Sequence, residues 1–458
     1  MESISIQQLM EAVGAQRLDQ GGEITFSSVS TDSRKMAPGS LFIPLVGERF
    51  DGHDYIDKAL SGGAAGTLCA VRPERLLPGK AYLLVEDTRL ALKALASWYR
   101  DQFSIPFVQI TGSVGKTTTK EMIASVLGAR YKVLKTPENF NNDIGTPLTL
   151  LSLTREHEAA VIETGMNHAG EIHYLGEMVR PDIAVISNIG DAHIEYLGSR
   201  EGILRAKCEI FEHLRPDGLA VLNGDDALLG TLELPFETVR CGKGEGCGVR
   251  ISDICDHGVG GITCRVTTDK DSYALTIPAP GEHMIYSASM AVAIGERLGL
   301  DHDEIVRGVA AYTPTGSRMR ILKLPEGRTV LDDCYNANPQ SVTAALEILA
   351  KTECGRKVAV LGDMGELGEL TEQAHYNMGA LAVMLGIDYV VAIGHKAEKI
   401  AQGVEESGGA GAHFLTREEA METILSQLEP DTAMLVKASH VMRFEEIVTK
   451  IKQQSDME

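Results

Sequence analysis

Residues 107–128 read FVQITGSVGKTTTKEMIASVLG. The apolar run from Phe107 to Ile110 predicts a strand, Gly112 to Gly115 a tight turn, and the pattern after Lys116 a helix. Backbone amides of such a turn, backed by the positive end of the helix, form a cradle for phosphate. Gly112, Ser113, Val114, Gly115, Lys116, Thr117 and Thr118 are therefore candidate nucleotide contacts. Lys116 would reach the outer phosphates and the Thr117 hydroxyl would take Mg²⁺. The common phosphate-loop spacing puts about four residues between the glycines, whereas only Ser113 and Val114 separate Gly112 from Gly115. The loop is a shortened variant, preferred over an ordinary glycine turn because Gly-Lys-Thr follows.

Outward from this loop, strand and helix patterns alternate: AAVIETG then EIHYLGEMV, DIAVISNIG then a helix through Lys207, then GLAVLNGDD. Alternating βα units predict a parallel sheet wrapped by helices, with ligands at the strand C-terminal ends. Residues 236–277, rich in Gly, Thr and Val, read as β-hairpins appended to that sheet. A length of 458 residues exceeds what one core sustains. We divide it into a small mixed α/β segment (1–103), a central parallel-sheet P-loop-type ATP-binding domain (104–313) and a C-terminal Rossmann-like α/β domain (314–458). The fold class is α/β.

The net charge of −21 opposes general nucleic-acid binding. No apolar run is long enough to span a membrane, and MESISIQQLMEAVGA lacks the basic start of a signal peptide. The eight cysteines contain no CxxC pair, and the group from Cys241 to Cys264 with His257 has the wrong spacing for zinc. Free thiols in a reducing cytoplasm are the expectation.

Four clusters accompany the loop. PENFNNDIGTPLTLL places Asn139, Asn141 and Asn142 before a helix, as cap or site residues. VIETGMN ends an apolar strand with Glu163, suited to holding a cation beside ATP. NIGDAHIEYLGS puts His193 after another strand, and ILRAKCEIF places Lys207 on a helix; each counts only by association.

Together TGSVGKT, NNDIGTPLTLL, ETGMN, NIGDAHIEYLGSREGI, DDCYNANPQS and VLGDMGELGE resemble the Mur ligase family, nearly end to end. YNANP and LGDMGELG resemble most the member that adds D-alanyl-D-alanine to UDP-N-acetylmuramoyl-tripeptide. The resemblance implies an ATP-dependent amide ligase acting through an acyl phosphate, with two Mg²⁺ sites. It implies catalytic and metal-binding roles for Lys116, Thr117, Glu163, His193 and Lys207, the last carbamylated. It places Asn142, His283, Arg318 and Asp333 at ATP, Ser33 and Arg49 at the uridine diphosphate, and Asn336 and Asn338 at the dipeptide pocket. DMGELGE, with Asp363 and Glu366, is read first as a helix cap. A monomer is expected.

Two departures stand out. Ser287 occupies a position where the family usually carries an asparagine near adenine, and Lys437-Ala438-Ser439-His440 replaces Lys-Gly-Ser-Arg. They keep open a catalytically impaired uridine-nucleotide-binding homologue, beside a sister ligase that adds a different amino acid.

Overall fold

A computed structural model describes residues 1–455 of the chain. Its central feature is a nine-stranded sheet in which Phe107–Thr111 lies between Ala159–Glu163 and Ile183–Ile186, both parallel to it. Alternation along these strands sends side chains to two different cores. Val108, Ile110 and Val161 face a core shared with the helices Lys116–Leu127 and Met284–Arg297. Phe107, Ala160 and Ile162 face the other side, against Leu92 and Leu95 of the helix Thr88–Arg100. Strands buried on both faces read as continuous apolar runs, which is why FVQI and AAVI are legible in the sequence.

The segment expected as appended hairpins differs in part. Glu237–Gly242 pairs parallel with Leu219–Asn223 and so extends the parallel run. Only Val249–Asp256, Ile262–Thr267 and Ser272–Ile277 form an antiparallel meander. The polar alternation in GITCRVT and SYALTI reflects their one-sided burial.

N-terminal to this sheet lies a five-stranded sheet, ordered Gln16–Arg17, Ala81–Leu84, Gly66–Cys69, Ser40–Phe42, Ser28–Ser30, with a two-stranded ribbon of Ile4–Ser5 and Thr25–Phe26. The core containing Leu92 and Leu95 runs without a break from Ile4 and Phe26 to Leu150 and Leu175. The boundary near residue 104 thus divides the sequence but not the packing.

The C-terminal sheet has six strands: Arg320–Lys323, Thr329–Asp332, Thr432–Lys437, Arg356–Gly362, Tyr389–Ile393 and Gly411–Phe414. All neighbours pair parallel except the first two. On one face the helices Thr371–Met384 and Glu398–Glu406 pack closely because glycines meet at their crossing. A Cβ on Gly379 would stand 2.0 Å from the Ile400 carbonyl oxygen, and one on Gly403 would stand 2.2 Å from that of Tyr376. Backbone cannot yield as a side-chain tip can. Gly379→Ala should therefore cost about 2–3 kcal/mol in urea unfolding of the C-terminal domain, and an unchanged midpoint would show that the helices separate freely.

Candidate active site

The C-terminal ends of the central strands converge on one cleft of about 620 Å³, closed on its far side by the C-terminal domain. That volume lies in the usual range for a small-molecule site. Gly112 must be glycine: its φ is +156°, and a Cβ there would lie 1.9 Å from Ser187 Oγ. The turn is pinned to the adjacent strand end, where Ser113 N–H donates to the Asn188 carbonyl (3.1 Å) and Val114 N–H to Asn188 Oδ1 (2.9 Å). The amides of Ser113 and Val114 are thus already engaged. The orphan N–H groups that face the cleft at the start of the helix begin at Gly115.

Lys116 Nζ donates to the Gly112 carbonyl at 2.9 Å, folded back over its own loop. Its pKa is lowered, chiefly by desolvation and further by Arg318, while Glu163 and Glu366 oppose the shift. Thr117 Oγ1 donates to Glu163 Oε2 at 2.8 Å, which brings the loop and the second strand end together as the motifs require.

Glu163 is 1 % exposed. Its other oxygen accepts from Asn141 Nδ2 at 2.8 Å, its own N–H donates to Thr136 Oγ1, and Lys120 Nζ stands 3.8 Å from Oε2. A carboxyl group buried at this depth requires such partners. Two of them, Asn141 and Lys120, were not singled out from sequence as partners of Glu163. The signal for Lys120 is its place four residues after Lys116, on the same helix face. Asn142, by contrast, accepts from the Ile144 and Gly145 amides, so its oxygen serves the following turn although the residue borders the cleft.

His193 enters with a left-handed backbone (φ +66°) and lies at the central edge of the cleft. Its Nδ1 is 2.5 Å from Glu366 Oε2, a close contact without aligned hydrogen-bond geometry. Glu366 belongs to the C-terminal domain, so the DMGELGE loop is no helix cap. The helix Thr371–Met384 has no side-chain cap, and Asp363 Oδ1 instead accepts from Ala397 N–H at 2.8 Å. Contact with His193 lowers the Glu366 pKa against the burial that raises it.

Lys207 is 1 % exposed on the helix Arg200–Cys208 and does not border the cleft directly. Among the described residues its side chain makes no hydrogen bond or ion pair, its backbone being engaged in the helix. Desolvation first, and the charge of Lys116 second, push its pKa well below that of an ordinary lysine.

From the other side, Arg318 lies flat on Tyr335, with its guanidinium carbon 3.7 Å from the ring centre. Asp333 Oδ2 accepts from buried Lys437 Nζ at 2.5 Å, and Asp333 Oδ1 accepts from Met319 N–H. Lys437 also donates to the Asn336 carbonyl at 2.8 Å. Asn338, expected at the dipeptide, caps the helix Pro339–Lys351 by accepting from Ser341 N–H, while still bordering the cleft. His283 caps nothing through its side chain; desolvation in the cleft lowers its pKa. Ser287 is buried and shares a 3.0 Å hydrogen bond with Thr119 Oγ1, and the His440 ring meets Tyr335 edge-on at 5.5 Å. Ser33 and Arg49 lie on the N-terminal sheet's loops, and neither borders the cleft.

Comparison with known proteins agrees with this geometry. Models described as Mur ligase family, catalytic domain; Mur ligase middle domain; and Mur ligase, glutamate ligase domain match residues 25–100, 110–295 and 317–440. The UDP-N-acetylmuramoyl-tripeptide–D-alanyl-D-alanine ligase of Escherichia coli is 38 % identical over 99 % of each chain, and that of Bacillus subtilis 37 % over 92 % of each. MurF from Acinetobacter baumannii superposes with a TM-score of 0.90 at 32 % identity, covering 99 % of both chains. MurF from Thermotoga maritima in complex with ADP gives 0.82 at 28 % identity, over 94 % of this chain and 98 % of that one. With a phosphate-type loop, a buried carboxyl and a facing C-terminal domain joined in one cleft, and with matches along nearly its whole length, the chain belongs to the Mur ligase family.

Proposed function

We propose that the chain is an ATP-dependent amide ligase that joins D-alanyl-D-alanine to UDP-N-acetylmuramoyl-tripeptide in building a cell-wall precursor. The observation that carries this reading is the convergence of Lys116, Thr117 and Glu163 on one cleft with Arg318, Asp333 and Lys437 of the facing domain. The full-length likeness to ligases of that name supports the choice of substrates.

The reaction joins two anions. A carboxylate oxygen of the tripeptide attacks the γ-phosphorus of ATP, the β–γ bridging bond breaks, and an acyl phosphate and ADP result. The dipeptide amine then attacks the acyl carbon, and the tetrahedral intermediate collapses with loss of inorganic phosphate and a proton from nitrogen. Positioning and charge neutralisation supply most of the rate in such chemistry. The helix start after Gly115 and Lys116 would hold the β- and γ-phosphates, Arg318 would bear on phosphate, and Asp333 would take the ribose hydroxyls, with His283 and Asn142 at the rim of the nucleotide. Ser33 and Arg49 would hold the uridine diphosphate, and Asn336 and Asn338 would shape the dipeptide pocket.

The donors fit Mg²⁺ at one position: the Thr117 hydroxyl and Glu163 carboxyl oxygens meet at 2.8 Å, an all-oxygen set. A second position at His193 has one ring nitrogen and the Glu366 carboxylate. Bound there, Mg²⁺ would neutralise phosphate charge. Lys207 as an amine offers such a site no oxygen; as a carbamate it would orient the ion's waters. Its lowered pKa supplies the neutral amine that reacts with CO₂. The eight free cysteines accord with a cytoplasmic setting, and a cleft built from one chain accords with a monomer.

Purified protein given ATP, Mg²⁺ and the tripeptide nucleotide should release phosphate only when D-alanyl-D-alanine is added, with pentapeptide product by mass spectrometry. Absence of that product would sink the assignment. Lys207→Ala should lower turnover about 100-fold and remove any carbamate signal after ¹³C-bicarbonate labelling; retained activity with unchanged bicarbonate response would dispose of the carbamate.

The Glu366–His193 contact joins the two walls of the cleft. Because the Glu366 pKa is lowered in the folded chain, its contribution is complete above the ordinary carboxylate range and lost as pH falls through the lowered value. Glu366→Gln should therefore widen the domain-angle distribution in small-angle scattering at neutral pH, and acidification should do the same to the wild type. Identical scattering of variant and wild type at neutral pH would count against the contact as a latch.

A further inference from the structure

We propose that His173, Glu212 and His213, in the central domain outside the cleft lining, form a binding site for a borderline divalent transition-metal ion, Zn²⁺ being the best match. One donor atom from each lies within 4.8 Å of the others. None of the three borders the cleft, so the site is separate from the Mg²⁺ positions above.

Three observations carry it. The first is that His173 Nδ1 is approached by two groups at once: Glu212 Oε2 at 2.5 Å and His213 Nε2 at 3.3 Å. A ring nitrogen has either one hydrogen or one lone pair in its plane, so it cannot satisfy both partners well. A cation at the convergence of the three atoms satisfies all of them. Zn–N bonds of about 2.0–2.1 Å in a tetrahedron place neighbouring donors about 3.3 Å apart, the spacing of the two imidazole nitrogens. Glu212, more than half exposed, needs only to withdraw by roughly 0.8 Å to reach that spacing.

The second is the other nitrogen of His173. Its Nε2 faces Glu177 Oε1 at 3.8 Å, and Lys93 is paired with the same Glu177. At 3.8 Å this is not a hydrogen bond, but a carboxylate so placed would, on closing to hydrogen-bond range, fix the tautomer that leaves the opposite nitrogen free to bind metal.

The third is that the frame is built before any ion arrives. Glu209 accepts from the Gly170 and His173 amides, tying the turn Glu209–Phe211 to the start of the helix Glu171–Val179. Gly176 leaves room for the second imidazole, since a Cβ there would lie 2.9 Å from His213 Cδ2. Two nitrogens and one carboxylate oxygen, with the fourth position open to water, match the ligand preference of Zn²⁺ and not of Mg²⁺. The helix follows the strand that ends in Glu163, and the turn follows the helix that carries Lys207. A bound ion would clip together the two elements behind those residues.

The test is calorimetric titration of chelator-stripped full-length protein with ZnCl₂. Wild type should take up one equivalent more than the His173→Ala/His213→Ala double variant, whose fold is checked by its phosphate release. Co²⁺ should give the visible bands of tetrahedral coordination in the wild type alone, and Glu177→Gln should bind about tenfold more weakly. Equal uptake and affinity in wild type and double variant would overturn the site. Should the double variant not fold, carbethoxylation of the wild type decides: zinc should protect His173 and His213 but not exposed His395, and labelling unaffected by zinc would overturn the proposal equally.

Discussion

Glu163 brings a carboxyl group to the end of an apolar strand and leaves it 1 % exposed. An unpartnered acidic group at that depth would cost several kcal/mol. The surrounding structure is arranged to prevent this: Thr117 from the phosphate-type loop, Asn141 from the next connection, and Lys120 one helical turn beyond Lys116 all turn toward it. Because these partners come from two separate segments, the helix Lys116–Leu127 that continues the loop and the asparagine turn, the carboxyl group fixes those two relative to one another and to its own strand end. A polar cluster of this kind positions by necessity, since loss of any member leaves a buried group without its partner.

The same constraint organises charge. The chain carries a net −21, and the cleft lining sets Lys116, Arg318 and Lys437 beside Glu163, Glu171, Asp226 and Asp333, with Lys120 and Lys207 buried. Desolvation lowers the pKa of both Lys116 and Lys207, with repulsion by Arg318 adding at the first and repulsion by Lys116 at the second. An entering anion would offset the cost of holding these ammonium groups away from water, as a site for phosphate requires. Arg318 stacked on Tyr335, and Lys437 held between Asp333 and the Asn336 carbonyl, keep the facing wall from collapsing onto the loop.

Much of this was legible residue by residue. The strand–turn–helix at 107–128 announced itself because a strand buried on both faces is apolar throughout and a phosphate-type turn needs glycine. The parallel strands of the C-terminal domain followed from the same logic. What misled was polarity near helix starts. DMGELGE has the composition of a cap, but Glu366 reaches across to His193, whereas Asn338 both borders the cleft and caps its own helix. Asn, Asp and Glu satisfy backbone amides and distant side chains equally well, so composition alone does not choose between them. The strand Glu237–Gly242 was assigned to the hairpins because pairing direction depends on where the chain returns, and no residue type encodes that.

By itself, then, the sequence determined the α/β class, the loop that can cradle phosphate, and the family to which the chain belongs, because each depends on local patterns within a few residues of one another. The tertiary structure alone decided which asparagine supports Glu163, that Ser113 and Val114 spend their amides on Asn188, that Glu366 meets His193, and that Glu212 and His213 both meet the Nδ1 of distant His173. Those contacts join residues dozens to hundreds of positions apart. Only the packing of helices on the sheets brings them within hydrogen-bonding range, and that packing is a property of the whole chain.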